Sequence, residues 1–195
     1  KLTADRLNQA IVDSYANVTV LFADIVGFTA FSQLVSPEVM VDVLNDVFTR
    51  FDHIAEHHGL EKIKTIGDCY MAAAGLPVVV TDHADRAAKM SLDMLVAIQD
   101  FNASSQHPLN IRIGISSGAA VAGVIGKSKF VYDLWGDVVN TASRMESHGT
   151  AGRIQISDAT RQALLQPFSL EHCGVIKVKG KCEMSTWFLN KSDQH

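Results

Sequence analysis

The stretch from Ser36 to about His58 carries both of its own end signals. Ser36 is a good N-cap, and Pro37 suits the first helical position, where a missing N–H costs nothing. Gly59 can take the left-handed conformation that stops a helix. Between them Met40, Val43, Leu44, Val47, Phe48, Phe51 and Ile54 recur at helical spacing and form one apolar face, which needs a sheet or another helix to cover it. The flanking runs Val18–Asp24 and Leu60–Ile66 are apolar and β-like, and Cys69–Ala74 follows across Gly67-Asp68 as the return arm of a hairpin. Thr81 to about Phe101 reads as a second amphipathic helix. Asn110–Ser117 reads as a strand in which Ile111, Ile113 and Ile115 alternate with Arg112. The order β-α-β-β-α-β predicts an α+β fold on a ferredoxin-like core. Beyond it the pattern predicts a ribbon (Ala119–Ile125 and Phe130–Leu134), a helix Asp137–His148, a strand Ile154–Ile156, a short helix near Asp158–Leu165 and closing strands in Val175–Val178 and Thr186–Leu189.

Composition fits one such domain. With 195 residues, 47% apolar content and four prolines, the chain can bury one sizeable core, and two domains would be cramped. A net charge of −4 and a pI near 6.0 argue against a nucleic-acid partner, which would need a basic face. Cations for an anionic ligand must then be local. Cys69, Cys173 and Cys182 form no C-x-x-C pair and suit a reducing, cytoplasmic compartment, with structural filler as the role expected of all three. No apolar run approaches the roughly 18 residues needed to cross a membrane and no signal peptide is visible, so no direct membrane insertion of this segment is expected. Residues 1–16 carry Leu2, Leu7 and Ile11 among polar residues and read as a helical lead-in. It is either a connection from an upstream sensor or membrane module or an ordinary first helix, and residues 17–195 form the domain proper.

Two aspartates stand where apolar runs end. Asp24 closes Val18-Thr-Val-Leu-Phe-Ala-Asp24 and Asp68 follows Lys62-Ile-Lys-Thr-Ile-Gly67, 44 residues further on. Mg²⁺ and similar hard cations take one or two carboxylates plus substrate phosphate oxygens in preference to an all-protein cage, so this pair implies a metal–phosphate site. Asp24-Ile-Val-Gly-Phe-Thr29 adds a glycine turn beside a helix start, where the N–H groups around Phe28 and Thr29 can receive anionic oxygens. On the helix Asp137–His148, Asn140 and Arg144 are four apart and share a face, an amide suited to a ribose above a guanidinium suited to phosphate. Taken alone, such a pair is an ordinary solvated helix face.

With these segments, and with Val131-Tyr-Asp-Leu-Trp-Gly-Asp-Val-Val-Asn-Thr-Ala-Ser-Arg-Met145, the chain from about Val18 to Phe188 resembles the catalytic domain of class III adenylate cyclases, three separated motifs falling in the family's order. The resemblance implies that Asp24 and Asp68, with the carbonyl of Ile25, hold two divalent metal ions (Mg²⁺ or Mn²⁺). It implies that Asn140 orients the ribose and Arg144 stabilises the α-phosphate in the transition state. Arg112 and Lys179 match basic positions that contact the triphosphate in related cyclases. On sequence grounds Arg112 needs either an anionic partner or an exposed face.

Lys64 and Asp133 stand where adenylate cyclases carry Lys and Asp and guanylate cyclases typically carry Glu and a small residue. Adenine presents an acceptor at N1 and a donor at its exocyclic amine, and guanine presents the opposite polarity on that edge. A Lys donor and an Asp acceptor therefore fit ATP. The implied reaction is attack of the ribose 3′-hydroxyl on the α-phosphate to give cyclic AMP and pyrophosphate, in a head-to-tail homodimer with sites at the interface. A guanylate cyclase would differ at Lys64 and Asp133, and a non-catalytic cyclase-like module should lack one of Asp24, Asp68, Asn140 or Arg144, all of which are present. A diguanylate cyclase needs a Gly-Gly-(Asp/Glu)-Glu-Phe turn that the chain lacks. Gly126-Lys127-Ser128 resembles the end of a P-loop, but Val121 stands where its first glycine must be. His53-Ile-Ala-Glu-His57 fits a zinc-peptidase pattern but sits on the polar side of a helix whose other face reads as core.

Overall fold

Six consecutive residues, Val18 to Ala23, are buried or nearly so in strand β1 (Val12–Ile25), which means that both faces of this strand are covered. The computed structural model describes residues 12–125, 131–176 and 183–191. In chain order the elements after β1 are α1 (Phe28–Leu34), α2 (Pro37–His58), β2 (Glu61–Ile66), β3 (Cys69–Ala74), α3 (His83–Ser104), β4 (Ile111–Ile125), β5 (Val131–Trp135), α4 (Asp137–Ser147), β6 (Ile154–Ser157), α5 (Asp158–Ala163), β7 (Ser169–Ile176) and β8 (Met184–Asn190). The sheet runs β2-β3-β1-β4-β6-β8-β7, with β5 paired to β4 off this path. Its β2-β3-β1-β4 portion is the antiparallel ferredoxin-like unit expected from the element order.

Strand alternation sorts the core into two layers. Leu21, Ala23 and Ile25 of β1, Ile111, Ile113 and Ile115 of β4 and Tyr70 and Ala72 of β3 face α2 and α3, meeting Val47 and Phe51 from the first helix and Met90 and Met94 from the second. Val18, Val20 and Phe22 point the other way, together with Met71, Ala73, Ala120 and Ala122, and are covered by Val138 and Ala142 of α4. The ends of α2 follow their sequence signals: Ser36 Oγ accepts from Val39 N–H at 3.4 Å, and Gly59, at φ 68°, closes the helix.

Three expectations need correction. Val12–Ala16, taken as the end of a helical lead-in, belong to β1, and Val12–Tyr15 pair with β4; residues 1–11 lie outside the described residues. Asn110–Ser117 and Ala119–Ile125 are one strand, and the irregularity near Gly118 falls on β1: Ala16 and Asn17 bulge opposite Ala119, between the pairs Tyr15–Ala120 and Val18–Gly118. Cys173 is exposed, on the edge strand β7, whereas Cys69 is partly buried; Cys182 lies outside the described residues. Among the described residues no helix is long and apolar enough to cross a membrane.

Gly114 fixes how α4 sits on the sheet. A Cβ there would lie 2.0 Å from the backbone nitrogen of Glu146 and 2.5 Å from the carbonyl oxygen of Ala142. Neither backbone atom can swing aside. Gly114→Ala is therefore expected to cost about 3 kcal/mol, read as a lower midpoint in chemical denaturation. An unchanged midpoint would mean that helix and strand are not in this contact.

Candidate active site

The two motif aspartates meet at one end of the sheet. Asp24, near the end of β1, pairs in register with Cys69 on one side and Arg112 on the other. Asp68 occupies the β2–β3 turn, which Gly67 closes at φ 62°, and its carbonyl accepts from the N–H of Ile25 at 3.4 Å. Burial raises the pKa of Asp24, the nearby charge of Asp68 raises it further, and Arg112 opposes both. A carboxylate held under such strain gains by meeting a cation. Among the described residues no group of three or more His, Cys, Asp or Glu side chains is placed to hold a metal alone. Two carboxylates and a strand-end carbonyl, all hard oxygen donors, fit a magnesium-type ion completed by phosphate oxygens.

Arg112 has the anionic partners its sequence position demanded, and both are internal. Its Nη2 donates to Asp24 Oδ2 at 3.0 Å and its Nε to Glu146 Oε1 at 2.6 Å. Burial works against the guanidinium charge, but the bonds to Glu146 and Asp24 more than offset it, and the pKa is raised. Glu146, from the inner face of α4, is 7% exposed, and burial pushes its carboxyl pKa up although Arg112 pulls the other way.

A second cluster forms where β5 approaches β2. Lys64 Nζ donates to Asp133 Oδ2 at 2.6 Å, across 69 positions of sequence. The other oxygen, Oδ1, accepts from the N–H of Leu134 at 2.8 Å, so the Asp133 carboxylate is fixed at both ends. Neither residue is sealed off: the side chains are 35% and 19% exposed.

Asn140 and Arg144 lie on α4 away from Ala142, the residue that packs on the sheet, and Asn140 is exposed. Neither side chain has a hydrogen bond or ion pair among the described residues, so the structure does not join them to either cluster within the chain. Phe28 and Thr29 open α1, whose N-cap Gly27 (φ 75°) contributes no side-chain bond. The Phe28 ring packs on the core beside Phe31, so what this turn offers a ligand is backbone. Lys179 lies outside the described residues.

Residues 11–191 match the model of the adenylate and guanylate cyclase catalytic domain. The chain belongs to that family. This cyclase domain is 42% identical over 190 residues to an adenylate cyclase of Mycobacterium tuberculosis, covering 95% of this chain and 43% of the relative. It is 44% identical over 184 residues to a membrane guanylyl cyclase of Dictyostelium discoideum, covering 94% of this chain and 12% of that protein. The domain thus spans less than half the length of these relatives. Among solved structures it superposes on the catalytic core of a rhodopsin-guanylyl cyclase with converted specificity, in complex with ATPαS. The TM-score is 0.89 at 43% identity, over 93% of this chain and 98% of that one.

One residue of the Asp24–Arg112 cluster was missed in the sequence. Glu146 reads as part of a solvated helix face, yet it falls on the side of α4 that carries Ala142 and Met145, both buried. The signal that could have found it was Arg112, an arginine between isoleucines that needed an anion on the same face of the sheet. Cys69, beside Asp24, has its thiol pKa pushed up to about 12 by burial and then by Glu146, Asp24 and Asp68, so at neutral pH it is an uncharged thiol.

Proposed function

We propose that the domain is an adenylate cyclase, forming 3′,5′-cyclic AMP and pyrophosphate from ATP. The observation that carries this reading is the Lys64–Asp133 pair at 2.6 Å, a donor and an acceptor side by side and accessible. Adenine can enter between them with N1 accepting from Lys64 and the exocyclic amine donating to Asp133. Guanine would set its N1–H against the ammonium and its O6 against the carboxylate. The relatives carry both names, adenylate and guanylyl, at similar identity, so overall likeness does not choose, and the support for ATP comes from the base-edge chemistry.

Asp24 and Asp68, with the Ile25 carbonyl, are the groups that would hold two divalent ions, Mg²⁺ or Mn²⁺. When bound, such ions supply activation of the 3′-hydroxyl and neutralisation of the phosphates. Backbone N–H groups at Phe28 and Thr29, together with Arg112 and Lys179, receive triphosphate oxygens. Asn140 fixes the ribose so that its 3′-oxygen lies in line with the bond from the α-phosphorus to the departing pyrophosphate. Arg144 stabilises the charge that builds on the α-phosphate oxygens.

The sites lie at the interface of a head-to-tail homodimer, the metal carboxylates coming from one chain and Asn140 and Arg144 from the other. Support comes from the side chains of Asn140 and Arg144, which have no hydrogen bond or ion pair among the described residues, and from a run of exposed apolar residues, Val12, Val121, Ile125, Val131 and Trp135, on β1 and the β4–β5 ribbon.

Purified domain assayed with ATP and with GTP, under Mg²⁺ and Mn²⁺ separately, tests the reading. ATP should be preferred by about a hundredfold or more, since a site of paired polar groups rejects the mismatched base. Replacing Lys64→Glu together with Asp133→Cys should remove that preference and most of the ATP activity, with at most partial recovery on GTP, because opposing groups are easier to install than a fitted pocket. A doubly substituted protein that still cyclised ATP at the parent rate would take Lys64 and Asp133 out of base recognition.

A further inference from the structure

Arg112 divides its fork. Both prongs of an arginine can turn onto one carboxylate in this chain, as Arg50 reaches Asp46 through Nε at 2.7 Å and Nη2 at 3.5 Å, whereas Arg86 and Arg161 hold Asp82 and Asp158 through Nε alone. Arg112 instead gives Nε to Glu146 at 2.6 Å and Nη2 to Asp24 at 3.0 Å, the shorter bond falling on the residue that no motif contains. Glu146 is itself an anomaly. A carboxylate on the buried face of a helix is unfavourable unless it is paired, and Glu146 sits beside the buried Ala142 and Met145. The contact at Gly114 presses the backbone of Glu146 onto β4, two residues from Arg112 on the same face of the sheet, so this anchor cannot retreat.

We propose that Glu146 is a positioning residue: by holding Arg112 through Nε it keeps the guanidinium from closing on Asp24 through its Nε–Nη2 edge, and so leaves the Asp24 carboxylate available to a divalent cation. The inference rests on the reading of Asp24 as a metal carboxylate. Without Glu146, Arg112 has Asp24 as its nearest anion and pairs with it through both prongs, the geometry that gives the strongest arginine–carboxylate bond. An entering cation must then displace that pair. With Glu146 in place, only the Nη2 end has to leave, and it leaves pivoting on a fixed Nε toward the side where phosphate oxygens arrive.

The test is Mn²⁺ binding to the nucleotide-free domain, followed by loss of the free-Mn²⁺ electron paramagnetic resonance signal. Glu146→Gln should weaken binding about tenfold, the usual scale for a group that orients a metal ligand. In an Arg112→Met background the same change should move the dissociation constant by less than about twofold. If Glu146→Gln weakened Mn²⁺ equally with and without Arg112, its charge alone would be acting and the positioning role would be wrong. A normal Mn²⁺ affinity with only a lowered melting temperature would equally overturn it. Should Glu146→Gln fail to fold, Glu146→Asp keeps the charge but draws the acceptor back by one methylene. Several-fold weaker binding is expected there, and parent-like binding would sink the proposal. Asp24→Ala separates the two levels: parent-like Mn²⁺ binding in that protein removes the metal reading itself, whereas lost binding there with normal binding in Glu146→Gln removes only the role of Glu146.

Discussion

Asp68→Ala should give a protein that folds like the parent and makes almost no cyclic nucleotide. The first half follows from where Asp68 sits. Its side chain has no hydrogen bond or ion pair among the described residues, and the β2–β3 turn is shaped by Gly67 and by the Asp68 carbonyl, both of which the substitution keeps. The melting curve should therefore move by no more than a surface change does, within about 0.5 kcal/mol. The second half follows from the chemistry. Two carboxylates are what this chain offers to the ions that activate the 3′-hydroxyl and balance the leaving pyrophosphate, and losing one removes several kcal/mol of transition-state stabilisation. At 1.36 kcal/mol per factor of ten, turnover should fall about a thousandfold. Asp24→Ala should be as inactive, but it is the less clean experiment because it also takes a partner from Arg112, leaving Glu146 to hold the guanidinium alone. Retention of more than a tenth of the parent turnover by either protein, with a normal melting curve, would end the two-metal reading.

The sequence made this end of the molecule legible because its signals are local. Ser36, Pro37 and Gly59 announce the ends of α2 within a few residues of where they act, and Gly67-Asp68 announces the turn that carries one carboxylate. What depended on distant pairing was read less well. The strand β4 reads as two runs parted at Gly118, and the bulge that keeps it continuous lies on β1, about a hundred positions away, at Ala16 and Asn17. The extension of β1 back to Val12 is stabilised by β4 alone, and its polar sequence carries no periodicity that would announce a strand. Lys64 and Asp133 could be named only through a resemblance, since nothing in their own neighbourhoods says that β2 and β5 approach each other. Glu146 escaped for a related reason: Asn140 and Arg144 drew attention to one side of α4, and the burial of the other side is decided by Gly114, on a strand more than thirty residues earlier.

Mixing two inactive proteins should restore activity. If each site takes Asp24 and Asp68 from one chain and Asn140 and Arg144 from the other, Asp24→Ala and Arg144→Ala homodimers each carry a defect in both sites and should be nearly dead. In a mixed dimer the two-fold arrangement puts both defects into one site and leaves the other intact. Random exchange of equal amounts makes about half of the dimers mixed, each with one working site of two, so about a quarter of the parent activity should return at concentrations that favour the dimer. The arrangement of α4 is what makes this outcome expected. Its inward face is fixed on β4 through Gly114, Ala142 and Glu146, which turns Asn140 and Arg144 away from the sheet that carries Asp24. A chain that used these residues on its own metal site would have to rotate the helix and break that contact. No recovery, with subunit exchange confirmed by a tag pull-down, would mean that each site is assembled within one chain, and that α4 moves.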